Sequence, residues 1–267
     1  MRNIYADLHS HTTFSDGRLT YQELSKKAKD KGIGVLSITD HDSIYAYKRS
    51  GYEIELFPGV ELTVKYGKKE FHLLAYNFDP EHKELNDYLD GLFSKREERA
   101  EKILNQINEK RPDLTFEELK KLFPEAVLTR SHIADLIINK GYTRSPYDVY
   151  TKIINPKKIN LPSLEVLDLE NAIKLIRKSG GFCSLAHPSR YYTQSEIYQF
   201  IRLGMRGIEV WHPSHTRHYT KRHESFAKQY QLVKTGGSDF HGRTMDEERN
   251  FGHYGLSEEQ FLLLKSA

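Results

Sequence analysis

Two histidines and an aspartate follow the first apolar run of the chain in close succession. His9, His11 and Asp16 belong to the stretch YADLHSHTTFSDG, residues 5–17. A buried strand followed by a polar loop would explain this stretch without any chemistry. The alternative is part of a site for a divalent cation, because imidazole nitrogen and carboxylate oxygen are typical ligands of first-row metals. The choice depends on whether the rest of the chain supplies matching ligands.

Seven short apolar runs predict buried strands, since they are rich in β-branched and aromatic residues. These runs are IYADLH, VLSITDH, LFPGVEL, FHLLAY, FCSLAH, GIEVWH and LVKTGGSD. Helical patterns separate several of them, with Thr20 and Asp168 as predicted N-caps. Gly32, Gly180 and Gly204 are the predicted ends of these helices. Strands that alternate with helices indicate a parallel βα architecture.

Acids and histidines close nearly every predicted strand. They are Asp7, His9, His11, Asp40, His41, Asp42, Glu61, His187, Glu209, His212, Asp239 and His241, while His72 opens the FHLLAY strand. In a βα barrel the carboxyl ends of all strands meet on one face, so these residues would share one pocket. Buried carboxylates and imidazoles must be neutralised or paired, which divalent cations would achieve. We therefore interpret the pattern as a metal site.

The segments DLHSHTTFSDG, ITDHD, PGVE, AHP and GGSDFH resemble, in this order, the motifs of the PHP (polymerase and histidinol phosphatase) family of metallo-phosphoesterases. The resemblance implies an α/β fold, a distorted (β/α)7 barrel with a helical insertion. It also implies up to three divalent ions (Mn, Zn or Fe) as cofactors. The implied ligands are His9, His11, Glu61 and Asp239 for one ion, Glu61, His72 and His187 for a second, and Asp16, His41 and His241 for a third. These residues would be catalytic through the bound metals, which would activate a hydroxide for attack on phosphorus.

The segment between Pro80 and Pro162 reads as helical throughout. We predict a PHP barrel domain over residues 1–79 and 163–267, with residues 80–162 as a helical insertion that could act as a lid. TRSHIA in this insertion and GIEVWHPSH after the sixth strand resemble the PHP subgroup that acts on nucleotides. That subgroup includes 3′,5′-bisphosphonucleotide phosphatases and 5′-to-3′ exonucleases. The candidate substrate-binding residues are Arg130, His132, Arg190, His212 and His215.

The predicted activity is therefore metal-dependent hydrolysis of a phosphoester in a nucleotide or a short oligonucleotide. The first alternative is a histidinol-phosphate phosphatase or another small phosphomonoesterase, which would share the metal motifs. An amidohydrolase could use a similar metal barrel on amides or lactones. A non-catalytic module that binds metal or nucleotide is the alternative of another class.

Composition bounds the remaining expectations. The net charge of +3 is too balanced to indicate nucleic-acid binding by charge alone. Cys183 is the only cysteine, so we expect no intramolecular disulfide, a buried inert thiol and a reducing cytoplasm. MRNIYADLH lacks the apolar core of a signal peptide, and no apolar run is long enough to span a membrane. No membrane association and no stable protein partner are implied. His218, His223 and His253 are expected at the surface.

Overall fold

Two β-sheets organise the part of the chain that carries the predicted site. The computed structural model describes residues 4–189 and 191–266. The first sheet has the parallel order β1 (Ala6–Asp7), β2 (Val35–Leu36) and β3 (Glu55–Leu56). The second has the order β4 (Gly59–Tyr66), β5 (Lys69–Tyr76), β6 (Phe182–Leu185), β7 (Gly207–Trp211) and β8 (Val233–Gly236).

The hydrogen-bonded strands of residues 4–189 and 191–266 do not form one closed barrel, so the predicted (β/α)7 barrel is not confirmed, whereas the α/β class is. The sheets are joined by isolated bridges, Ser10 to Phe240 and His41 to Glu61, and by single backbone hydrogen bonds such as the one from the Leu8 N–H to the Gly236 carbonyl at 3.1 Å. Past the ends of β1 and β2, side chains accept some of the backbone hydrogen bonds between these two segments. The Asp40 carboxylate accepts from the Thr12 N–H at 2.7 Å, and the Thr39 hydroxyl accepts from the Ser10 N–H at 3.2 Å.

The strand directions also correct the prediction of a purely parallel sheet. β4 and β5 form an antiparallel hairpin, and β5 pairs with β6 in antiparallel fashion as well. The reason is the short connection after Tyr66, where Gly67 takes a positive φ of 59°. His72 consequently lies inside β5, opposite Thr63, rather than at the start of a strand.

The predicted helix caps are confirmed. Thr20 accepts a hydrogen bond from the Glu23 N–H in a reciprocal capping box before α1 (Tyr21–Asp30). Asp168 caps α6 (Leu169–Lys178) through the Asn171 N–H. The part of the chain that carries the two sheets also contains α7 (Gln194–Arg202), α8 (Arg217–Gln229), α9 (Met245–Asn250) and α10 (Glu258–Lys265), with a 3-10 turn at Tyr45–Lys48.

The chain divides into two units, Met1–Asp87 with Val166–Ala267, and Tyr88–Glu165. The second unit is helical: α2 (Lys83–Asn108) continues into it, followed by α3 (Phe116–Leu122), α4 (Arg130–Asn139), α5 (Pro146–Asp148) and a π-helical turn (Val149–Ile153). Its own apolar core includes Ile103, Leu104, Leu119, Leu136 and Ile137. Within the described residues, no helix has both the length and the apolar character needed to cross a bilayer.

Candidate metal centre

His9 and His11 lie just past β1 and are completely buried. Being two residues apart on an extended chain, they project to the same side. Both Nε2 atoms face the carboxylate of Glu61, at 3.4 and 3.3 Å, and that of Asp239, at 3.3 and 3.1 Å. One ligand atom from each of these residues lies within 4.8 Å of every other. The four side chains thus converge on one point, although most of the sequence separates Asp239 from His9.

Glu61, in β4, occupies the centre of the cluster and is 1% exposed. Its Oε2 atom lies 3.1 Å from His41 Nδ1. Its Oε1 atom lies 3.2 Å from His72 Nδ1 and 3.0 Å from His187 Nε2. Antiparallel pairing of β4 with β5 brings His72 to this position, and the end of β6 brings His187. Glu61 therefore contacts imidazoles on both of its oxygens.

A third group forms around Asp16, whose Oδ1 atom lies 3.3 Å from His241 Nε2 and 3.7 Å from His41 Nε2. His11 completes this group. The turn that carries Asp16 folds back on His11, and a Cβ at Gly17 would lie 2.3 Å from the His11 carbonyl oxygen. Only glycine allows this close approach, so the glycine of the SDG segment is a geometric requirement of the site.

Two cluster residues have backbone conformations that are unusual for side chains with a Cβ. His187 has a φ of 26° and Asp239 a φ of 51°. Non-glycine residues adopt such values at a cost and mostly where the surroundings enforce them, as at functional sites. At both positions the chain turns immediately after or near a strand end, which directs the side chain into the cluster.

The carboxylates and imidazoles of the cluster shift each other's pKa values. Burial alone would raise the pKa of the Glu61 carboxyl, but the neighbouring imidazoles, His72 first, lower it well below its usual range. The pKa of Asp239 is likewise well below its usual range. Burial raises it, but the charge of His9 together with the hydrogen bonds from His11 and His212 outweighs burial. Burial lowers the pKa of the His41 ring well below its usual range. The opposite shift occurs at His9, whose pKa the carboxylates, Glu209 first, raise well above its usual range against the effect of burial. A cation bound to His9 would therefore displace a proton.

Several buried polar atoms of the cluster have no hydrogen-bond partner among the described residues. They are His9 Nε2, His11 Nε2, Asp16 Oδ1 and His41 Nδ1. Buried polar atoms in proteins are nearly always satisfied, so unsatisfied ones that face each other indicate a missing partner. Nitrogen and oxygen donors in this arrangement fit divalent cations such as Mn²⁺, Fe²⁺ or Zn²⁺. The cluster can therefore hold metal.

Two of the predicted substrate-binding residues lie beside the cluster. His212 is buried, with Nε2 at 3.2 Å from Asp239 Oδ2. His215 is also buried: its Nδ1–H donates to the Val210 carbonyl at 3.0 Å, and its Nε2 accepts the Ser189 N–H at 3.2 Å. Both ring nitrogens of His215 are thus occupied within the protein. Arg190 lies outside the described residues.

The other two predicted substrate-binding residues belong to the helical unit. Arg130 is exposed at the start of α4. His132 is 1% exposed, its Nδ1 accepts the Thr129 N–H at 2.9 Å, and its ring packs edge-on against Phe123. This hydrogen bond caps the N-terminus of α4. Substrate binding by Arg130 and His132 stays a prediction.

Sequence reasoning missed a role for Glu209 and misplaced His223. Glu209 is fully buried in β7, and its Oε1 atom lies 2.9 Å from His9 Nδ1. The signal was present in GIEVW, since an acid inside an apolar strand needs a specific partner. His223, expected at the surface, is 1% exposed because it packs edge-on against the His215 ring. His218 and His253 are exposed, as expected.

Comparison with known families tests the resemblance of the motifs. The PHP domain family matches residues 7–156, which include His9, His11 and Glu61. The chain belongs to the PHP domain family. The prediction of this family from the sequence motifs is thereby confirmed.

The relatives of this PHP protein are enzymes with named activities. It is 31% identical over 247 residues to the 5′-3′ exoribonuclease Rnm of Escherichia coli. This alignment covers 88% of this chain and 84% of the relative. It is 30% identical to the 3′,5′-nucleoside bisphosphate phosphatase of Chromobacterium violaceum, over 95% of this chain and 92% of that enzyme. An amidohydrolase structure from Chromobacterium violaceum, with bound sulfate and no metal, superposes with a TM-score of 0.81 at 27% identity, over 94% of this chain and 90% of that one. The family and the two curated relatives confirm the predicted phosphoesterase class.

Proposed function

We propose that this PHP protein hydrolyses phosphoester bonds of nucleotide-like substrates at the cluster around Glu61. The proposed substrate is a 3′,5′-bisphosphonucleotide or the 5′-terminal phosphoester of a short oligonucleotide. The observation that carries the proposal is the convergence of buried, unsatisfied imidazole nitrogens on the Glu61 and Asp239 carboxylates. The names of both curated relatives support the nucleotide class. The sulfate in the structural neighbour is a tetrahedral dianion, as phosphate is.

The ligand groups of the structure support up to three cation positions. These positions are His9, His11, Glu61 and Asp239; His41, Glu61 and His72; and His11, Asp16, His41 and His241. A fourth group of possible ligands, His9, Glu209 and His212, overlaps the first at His9. We propose His187 as a further ligand beside Glu61 Oε1, 3.0 Å away. Divalent ions bound there would supply a Lewis acid that activates water and offsets charge on the phosphoryl oxygens. Manganese, iron and zinc all suit these ligands.

The protein residues around these positions hold the ligands in a fixed orientation. The Ser214 N–H donates to His212 Nδ1 at 3.0 Å, so the proton of a neutral His212 sits on Nε2. That Nε2–H donates to Asp239 Oδ2 at 3.2 Å and leaves Oδ1 directed at His9 and His11. We therefore propose that His212 orients the Asp239 carboxylate. A covalent thiol nucleophile is not needed, and Cys183 is buried with the pKa of its thiol raised by that burial.

A substrate panel with defined metals tests the proposal. The purified full chain is stripped with EDTA, reloaded with Mn²⁺, and assayed on adenosine 3′,5′-bisphosphate, on 5′-phosphorylated oligoribonucleotides and on p-nitrophenyl phosphate. We expect Mn²⁺-dependent phosphate or nucleotide release, strongest on the first two substrates. Absence of Mn²⁺-stimulated hydrolysis on all of them would refute the proposal.

The same panel separates the alternatives. A histidinol-phosphate phosphatase would prefer that ester over adenosine 3′,5′-bisphosphate by orders of magnitude in kcat/KM. Hydrolysis of amides or lactones would indicate an amidohydrolase, and tight nucleotide binding without turnover would indicate a binding module. A lid role for residues 80–162 and a cytoplasmic location stay predictions.

A further inference from the structure

We propose that Glu209 is a positioning residue that holds two metal ligands, His9 and His187, with the two oxygens of one buried carboxylate. This inference rests on the proposed metal-dependent function. Glu209 also lies in a group of possible ligands with His9 and His212, but its two oxygens already face His9 Nδ1 and the His187 N–H, which favours a positioning role over coordination. Glu209 Oε1 lies 2.9 Å from His9 Nδ1, and Oε2 accepts the backbone N–H of His187 at 2.6 Å.

The contact to His9 determines which ring nitrogen faces the cluster. An ionised carboxylate only accepts hydrogen bonds, so His9 Nδ1 must carry a proton toward Glu209. His9 Nε2 then points at Glu61 and Asp239, where it can coordinate a cation. A carboxylate behind a metal-bound imidazole fixes the tautomer and the ring orientation and makes the imidazole a stronger ligand.

The contact to His187 holds a strained backbone. His187 has a φ of 26°, and its N–H is taken up by Glu209 Oε2 while its Nε2 lies 3.0 Å from Glu61 Oε1. An irregularity of the β7–β8 pairing between Glu209 and Trp211 lies at this point of β7, and Glu209 has no exposed surface. One side chain thus links ligands from two different predicted cation positions.

Glu209→Gln is the sharpest variant, because a carboxamide has one accepting oxygen where the carboxylate has two. If the amide oxygen faces His9, the NH₂ group opposes the His187 N–H. If it faces His187, the NH₂ group requires His9 to accept through Nδ1 and carry its proton on Nε2, where it blocks coordination. The variant keeps the volume of the side chain, so it perturbs orientation more than packing.

Thr235→Val is the matched control. Thr235 is fully buried in β8, pairs with Glu209 across the strands, and shares a 2.8 Å hydrogen bond with Ser184. Its replacement removes one buried hydrogen bond next to β7 without touching the metal ligands. A loss of Mn²⁺ affinity that merely reflects weaker pairing of β7 with β8 would therefore appear in Thr235→Val too.

The experiment titrates metal-free protein with Mn²⁺ and measures free Mn²⁺ by its electron paramagnetic resonance signal. We expect Glu209→Gln to weaken at least one binding step by about 10–100-fold, with Thr235→Val close to wild type. Affinity of Glu209→Gln within about threefold of wild type would overturn the inference, as would an equal loss in Thr235→Val. Wild-type protein that binds no Mn²⁺ would instead overturn the proposed function itself.

A second measurement does not depend on the variant being folded. In wild-type protein, ¹⁵N resonances of the His9 ring report its protonation in the metal-free form and in the diamagnetic Zn²⁺ form. We expect a proton on Nδ1 in both forms. An unprotonated Nδ1 in either form would exclude donation to Glu209 and overturn the inference.

Discussion

Replacement of Glu61 by glutamine should remove most of the stabilisation that metal gives to the protein. Glu61 belongs to two of the ligand groups, so Glu61→Gln removes a carboxylate ligand from both. A cation present at 100 times its dissociation constant stabilises the folded state by about 2.7 kcal/mol per site, hence about 5 kcal/mol for two sites. For a chain of this size, each kcal/mol shifts Tm by about 2–4 °C, which predicts a loss of about 10–20 °C from the Mn²⁺-induced increase.

The assay is calorimetry of each variant in EDTA and in Mn²⁺, and the compared quantity is the increase in Tm caused by metal. Glu170→Gln is the control, because Glu170 forms an ion pair with Lys174 on the surface of α6, where both side chains are 52% exposed. Its metal-induced increase should equal that of wild type. Hydrolysis by Glu61→Gln should also fall by at least about 10²-fold. A full metal-induced increase in Glu61→Gln would refute the placement of Glu61 at the centre of the site.

Three further predictions concern residues outside the cluster. Cys183 should resist thiol reagents in the folded protein and react after denaturation, because it is 2% exposed; rapid reaction in the native state would contradict its burial. Burial lowers the pKa of His223 to about 3. The unfolded chain therefore takes up a proton below about pH 6.5 that the folded protein does not. As the pH is lowered from about 6.5 to about 3, this residue should reduce the free energy of unfolding by about 1.4 kcal/mol per pH unit. Urea unfolding in EDTA should therefore depend less on pH in His223→Phe than in wild type. Arg130→Ala should raise KM for adenosine 3′,5′-bisphosphate more than for p-nitrophenyl phosphate, with exposed Arg144→Ala unchanged; equal effects of the two variants would exclude a specific phosphate contact.

Features encoded within a few residues were predictable from the sequence. Thr20 and Asp168 cap their helices because a side-chain oxygen needs only the N–H three residues further on. The meeting of His9, His11 and Asp239 also follows from their positions after β1 and β8, because the carboxyl ends of neighbouring strands lie on one face. Glu61, expected at the end of a strand, instead lies inside β4 near its start.

Features that depend on distant pairing were not predictable in the same way. An alternating or apolar run does not reveal whether its neighbour runs parallel, so the β4–β5 hairpin was missed although YGKK carries a turn glycine, Gly67. The role of Glu209 requires its encounter with His9, 200 residues away in the chain. His223 looked like one more polar residue of a basic helix, since nothing local reveals that His215 packs against it.

The acids around the site divide into two sets with different consequences for the metal-free protein. Asp16, Glu61 and Asp239 face the imidazoles of the cluster. Asp40 instead accepts from the Thr12 N–H and from the Thr12 and Ser15 hydroxyls, and Asp7 accepts the His9 and Ser238 N–H groups. Glu209 does both, since it contacts His9 Nδ1 and accepts the His187 N–H. Because the second set satisfies the backbone where the strands end, the loops that carry the ligands are held by protein contacts and not by metal. It follows that EDTA should lower Tm while unfolding stays cooperative, unlike small domains whose fold depends on their cation.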